Sequence, residues 1–453
     1  MSTTYRILCE AMNSSLGELE SRLNEPISDD LKHTALGYAV ACENAEAARL
    51  LVHSGADPWF TGTWPCIHEA CQHVNMTMLR ALSESLTDLH HVNFLEQTPL
   101  HVLCASTQEK EASEITSMVD YLLAHNVSPD AVDATGNLAL HYAYRTGKIE
   151  VVRQLLPVMK TPLHPLPKNK AEQSLFHSAC YSQRPECIQS VLHLFDSTDV
   201  SMGTKNSLDR LGNAPVHVLF QKKPSDPGAD ERVRECLQLF QRHEVDISVA
   251  NRAGNYPLHL ACLNCWKSCV SFLLENFICQ VDIRGQRNRT PMFFVLHHLC
   301  YAEDSNDQIV LIRLLLEKGA DAHVTDGDGN TLLHYASRYG LTRCIHFFVN
   351  TTHLDVNQTN QCGHTPLHIA YEQEKFDAVE YLIRLGADST IKDNQGYNAR
   401  DYGIQYQLNA HQPSYEWKRQ LEGRGRKRKH LRDSSDSSEE EEEKDGTKKS
   451  RFE

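Results

Sequence analysis

The sequence predicts an all-α protein, a solenoid of short helix pairs stacked in chain order. Three observations predict it. A short signature ending in His recurs in phase along the chain. Apolar residues between recurrences fall at helical spacing. Glycine-bearing turns punctuate the cycles. The stretch Asn360–Asp393 shows all three. Gly363 marks a turn, and Thr365-Pro366-Leu367-His368 opens a short helix with Leu367 and Ala370 on one face. A second helix places Val379, Leu382 and Ile383 at helical spacing. Leu385-Gly386-Ala387-Asp388 ends it, Gly being the residue that tolerates the left-handed conformation of a helix C-cap.

The signature histidine recurs at His68, His101, His141, His177, His217, His259, His334 and His368. Thr290-Pro291-Met292-Phe293 is a further cycle with Phe in the His slot. Leu8-Cys9-Glu10-Ala11 with Leu16, Leu19 and Leu23 reads as a degenerate first pair. Thr34–Ala39 opens the next, closed by Ser54-Gly55-Ala56-Asp57, and Gly396–Tyr402 is an altered last one. About twelve units result, opening near residues 5, 34, 65, 98, 138, 174, 214, 256, 290, 331, 365 and 398 of a 1–410 repeat region. A turn plus two antiparallel helices, with a T-P-L-H signature and a period near 33, resembles the ankyrin repeat. The resemblance implies an ankyrin-repeat α-solenoid of helix-turn-helix units with connecting β-turn loops. It also implies a noncatalytic role in binding proteins.

One helix pair cannot bury both of its faces, so each unit leans on its neighbours. Cys71, Cys180 and Cys262 stand where the repeat usually has a second Ala, and Cys is small and readily buried. Extra polar residues fall between the two helices of three units, at Ser106–Ser113, Lys222–Glu231 and Tyr301–Asp307. They map to one edge of the stack. Pro157–Ala171 is inserted between units and contains a decoy, Thr161-Pro162-Leu163-His164. Pro165 and Pro167 forbid a helix there. It reads as an extended connecting loop, or as a ligand for a partner's groove.

The composition, 41% hydrophobic and 23% charged, is that of an ordinary globular chain. The longest apolar run, near Met292–Leu296, is too short to span a bilayer, so no membrane is expected. No signal peptide is apparent, and fifteen cysteines then point to a reducing compartment. The net charge is −14, all of it in residues 1–421 because the remainder is balanced. A body of that sign disfavours nonspecific binding of nucleic acid.

Candidate chemistry is sparse. His68-Glu69-Ala70-Cys71-Gln72-His73 looks like a zinc-protease helix, but its histidines lie about 140° apart around the helix axis. His259, Cys262, Cys265 and Cys269 form the best metal candidate, yet no second CxxC supplies the other ligand pair. The regular spacing of the signature histidines implies a repeated structural hydrogen bond rather than catalysis. Neither a phosphate-binding Gly loop nor a GxSxG elbow is present, so no cofactor, metal or enzyme activity is expected.

The binding surface is more informative. Tyr335, Arg338 and Tyr339 sit at i, i+3 and i+4, away from Leu333 and Ala336. Tyr142 and Arg145 occupy the first two of these slots in the unit at His141, Tyr181 the second in the unit at His177, and Trp266 lies near the turn of the unit at His259. The resemblance places these first-helix residues on a concave protein-binding face, and Tyr and Arg are enriched at hot spots.

After the repeats, 411–422 reads as a short helix or linker and 423–453 as a disordered basic and acidic tail. Arg426, Lys427, Arg428 and Lys429 resemble a nuclear localisation signal read by an import receptor. Ser434, Ser435, Ser437 and Ser438 precede five glutamates and resemble sites of an acidophilic kinase. The expectation is an adaptor of the nucleus, shared with the cytoplasm, that holds a protein partner. A substrate receptor of a ubiquitin ligase is the alternative.

Overall fold

The computed structural model describes residues 35–59, 65–84, 86–163, 165–196, 205–221, 228–277, 280–297 and 306–403. The expected first pair near residue 5, the tail motifs, and most of the insertions at Lys222 and Tyr301 lie outside these residues. The chain divides into two units, Met1–Gly327 and Asp328–Glu453.

In the first unit the described residues form eight helix pairs. They are Ala35–Ala41 with Ala45–His53, Cys66–Gln72 with Met76–Ser83, Pro99–Ala105 with Ala112–Ala124, and Ala139–Thr146 with Ile149–Leu155. Then come Leu175–Ser182 with Pro185–Asp196, Pro215–Leu219 with Ala229–Arg242, Pro257–Leu263 with Lys267–Asn276, and Pro291–Val295 with Asn306–Glu317. The second unit holds Leu332–Tyr339 with Thr342–Asn350 and Pro366–Glu372 with Phe376–Arg384. No strand occurs among the described residues, only isolated bridges such as Val132 to Leu138.

The first helices begin where the sequence dictates. Five of them carry Pro in the first turn, where a missing N–H costs nothing. The signature His then replaces the usual Glu of a capping box. His101 Nδ1 accepts the backbone N–H of Thr98 at 3.2 Å, and the Thr98 hydroxyl lies 2.8 Å from the same nitrogen. A left-handed residue joins the two helices of a pair. Gly147 and Gly340 fill that position in two units, but Val74, Cys265 and Glu374 adopt it elsewhere at φ 51–55°.

First helices pack on first helices and second on second, as Pro99–Ala105 does on Ala139–Thr146 and Ala112–Ala124 on Ile149–Leu155. The residue before each His fills the seam: Leu100, Leu140, Phe176, Val216 and Leu258 are all buried. Cys71, Cys180 and Cys262 are fully buried, as the small-residue reading requires. Burial pushes the thiols of Cys71 and Cys180 far above their ordinary range. The decoy at Thr161–Leu163 forms no helix. Its start is pinned instead, because the Asp130 carboxylate accepts the N–H groups of Lys160 and Thr161 at 2.8–3.1 Å.

Candidate functional site

Each signature histidine joins two neighbouring units. Except at His68, whose helix follows Pro65 with no N–H to donate, Nδ1 takes the capping bond within its own helix, and Nε2–H donates to a carbonyl in the next turn. His68 reaches Gln97 at 2.8 Å, His101 reaches Asn137 at 3.0 Å, His177 reaches Asn213 at 3.0 Å and His217 reaches Asn255 at 3.1 Å. His259 reaches Arg289 at 3.1 Å, His334 reaches His364 at 2.9 Å and His368 reaches Tyr397 at 3.3 Å. His141, which precedes the Pro157–Ala171 insertion, is the exception: its Nε2 is buried without a hydrogen bond of normal geometry. Burial holds His68, His141 and His259 neutral, with pKa values pushed down to about 4.

The turns carry a second device that the sequence reading missed. Eight residues before every signature histidine but His68 stands an Asn or Asp, whose side chain can fold the turn. Asp133 Oδ1 accepts the N–H groups of Thr135 and Asn137, both at 2.9 Å, and Asn169 and Asn251 do the same in their turns. These Asx turns have a fixed offset from the signature, so the period alone would have found them. Burial would raise the Asp133 carboxyl, but hydrogen bonds from Tyr142 and Thr135 overrule it and hold it below the usual carboxylate range.

The face built on this frame differs from the expected one. Tyr142 is half-buried and its hydroxyl donates to Asp133 Oδ2 at 2.6 Å, while Gln97 donates to it at 3.2 Å. It belongs to the turn network as much as to the surface. Arg145 is exposed and lies over the Tyr181 ring, 4.3 Å from its centroid. In the second unit Arg338 is exposed and Tyr339 half-buried. Tyr335 is only 5% exposed, so it does not share their surface as its spacing suggested. Helical spacing fixes an angle around the helix axis, but the neighbouring elements decide how much of that angle they cover. Trp266 is 2% exposed and packs against Phe220 at 5.5 Å between ring centroids, which makes it a core residue rather than a contact for a partner.

A groove of about 1190 Å³ draws Tyr142, Arg145 and Tyr181 together with the Ser106–Ala112 connection. Arg184 and Lys148 line it as well. Lys148 Nζ donates to the Leu103 carbonyl at 2.7 Å, and burial pushes its pKa down to about 8. Arg184 lies against Gly147, where a Cβ would meet its Cδ at 2.3 Å. The groove therefore combines aromatic rings and cations with the apolar side chains of Ile115 and Val151. No cluster of three metal-ligating side chains occurs among the described residues, and no described helix is long and apolar enough to cross a membrane.

Comparison with known proteins agrees with the repeat reading. The family described as "Ankyrin repeats (3 copies)" matches residues 67–162, 112–202 and 296–393, and "Ankyrin repeat" matches 253–283. Among curated relatives, NF-kappa-B inhibitor zeta of Bos taurus is 28% identical over 59% of this chain and 35% of its own length. The E3 ubiquitin-protein ligase KEG of Arabidopsis thaliana is 23% identical over 67% of this chain and 18% of its own. The chain thus spans about a third or less of these relatives. Among solved structures, the ankyrin repeat domain of Bcl-3 is 21% identical, covering 49% of this chain and 91% of that one at a TM-score of 0.38. With family matches over more than half of its residues and a signature histidine joining unit to unit, the chain belongs to the ankyrin repeat family.

Proposed function

We propose that the chain is a noncatalytic adaptor that holds a protein partner on the face centred on Arg145, Tyr181 and Tyr142, with Arg338 and Tyr339 offering the same chemistry in the second unit. The observation that carries this reading is the groove. It is large, walled by aromatic and guanidinium groups, and flanked by an insertion that lengthens one edge. Arg and Tyr in such a place are the residue types that dominate binding energy. The test is capture by the full chain, with captured proteins identified by mass spectrometry. Arg145→Ala with Tyr181→Ala should lose the principal partner while the fold, read by circular dichroism, is kept. Retention of every wild-type partner would place the surface elsewhere.

The adaptor is proposed to work in the nucleus, delivered by an import receptor that reads Arg426, Lys427, Arg428 and Lys429, with Ser434, Ser435, Ser437 and Ser438 as targets of an acidophilic kinase. Changing the four basic residues to Ala should leave a fluorescent fusion in the cytoplasm, and unchanged nuclear accumulation would refute it. The KEG relative supports a second reading, a substrate receptor of a ubiquitin ligase. A cullin or its adaptor among the captured proteins would favour it.

A further inference from the structure

Backbone hydrogen bonds align the turn tips of the first unit into one line. Ala134 N–H donates to Leu95 O, Lys170 N–H to Thr135 O and Arg210 N–H to Ala171 O, each at 2.9 Å. The line continues at Arg252, which lies against Gly212, and at Gln286 beside Gly254. Its chemistry is polarised. The first two tips expose Phe94 (71%), Leu95 and Val132. The next four carry Lys168, Lys170, Arg210, Arg252, Arg284 and Arg287, all exposed. Leu211 (68% exposed) stands among them. Within those four tips the acids are Glu172 and Asp209, and Asp209 is buried in its own Asx turn.

Among the described residues none of these six cations makes an ion pair, although cations on the second helices do: Arg49 with Glu84, Arg153 with Glu150, Arg234 with Glu231. Glu172 shares a tip with Lys170 and Asp282 lies close to Arg284, yet the line keeps a net positive charge in a chain of net charge −14. Its apolar end and the interleaved Leu211 fit a polypeptide better than a polynucleotide, which would need aromatic platforms among the cations. Neighbouring helices pack about 10 Å apart, so six tips span about 50 Å, the length of roughly fifteen extended residues.

We propose that this line of turn tips is a second docking surface, for an extended acidic segment of a partner protein that carries an apolar anchor at one end. The proposal rests on the protein-binding reading of the chain but uses residues outside the groove. The test is fluorescence anisotropy of the full chain with a roughly fifteen-residue peptide bearing Leu and Phe at one end and Asp and Glu along the rest. Arg210→Glu with Arg252→Glu should weaken binding at least tenfold, and added salt should weaken the wild type. Phe94→Ala with Leu95→Ser should weaken it severalfold. The Arg145→Ala, Tyr181→Ala chain should bind the peptide normally, which separates failure of this surface from failure of the groove. Unchanged affinity in the charge-reversed chain would overturn the proposal. So would an absence of binding to the wild type, or an oligothymidine of matched length binding as tightly as the peptide.

Discussion

Acidification should unfold the first unit, and the buried histidines set the size of the effect. His68, His141 and His259 have folded pKa values of about 4, against about 6.5 in an unfolded chain. The cause is burial, reinforced at His259 by geometry. Its Nδ1 accepts the Tyr256 N–H at 3.2 Å, so a proton on that nitrogen would face a donor. Because the folded values are depressed, the unfolded chain binds more protons between about pH 6.5 and 4. Stability is complete above that window and is lost as pH falls through it. At about pH 5, 1.5 units below the unfolded value, each histidine costs about 2 kcal/mol. The three together cost about 6 kcal/mol, comparable with the whole stability of an ordinary domain. His101, His177 and His217 are shifted in the same direction. Asp133, held below the usual carboxylate range, acts only at lower pH, because its contribution is intact above the unfolded carboxylate value of about 3.9. Urea unfolding followed by circular dichroism at about pH 7 and about pH 5 measures the loss. His259→Gln should remove about 2 kcal/mol of the pH dependence, since glutamine does not titrate. A loss below about 1 kcal/mol, or imidazole signals that titrate near 6.5 in the folded protein, would refute the reasoning.

Other expectations follow from single contacts. Gly285→Ala would place a Cβ 2.6 Å from His259 Nε2 and 2.9 Å from Asn255 Oδ1, and should cost about 1–3 kcal/mol by thermal unfolding. Tyr335→Ala should cost about 3 kcal/mol because the ring is buried, whereas Arg338→Ala on the same helix should stay within about 0.5 kcal/mol; equal effects would contradict the burial. Glu374→Gly should raise stability by about 1 kcal/mol, since the exposed residue joins two helices at φ 55°. A lower midpoint for that variant would show that the side chain is needed there.

Much of this protein was legible in its sequence because the repeat is a local code written many times over. Thr98 or Thr365 before the helix, Pro at its first turn and His at its third position dictate capping through bonds three residues long. Recurrence in phase then separates a true unit from the decoy at Thr161, which the following prolines break. The burial of Cys71, Cys180 and Cys262 followed from side-chain size at a fixed slot. The same period held the Asx turns at Asp133, Asn169 and Asn251, which went unread because Asn and Asp alternate there. What the sequence by itself determined is therefore each unit and the bonds it makes with the next. Only the tertiary structure decided which side chains reach solvent. Tyr335 and Trp266 are covered by neighbouring packing, and Tyr142 is tied to Asp133, because helical spacing sets a direction and not what lies along it. The groove beside Arg145 and the line of tips from Phe94 to Arg287 likewise exist only where hydrogen bonds between distant turns bring separate units side by side.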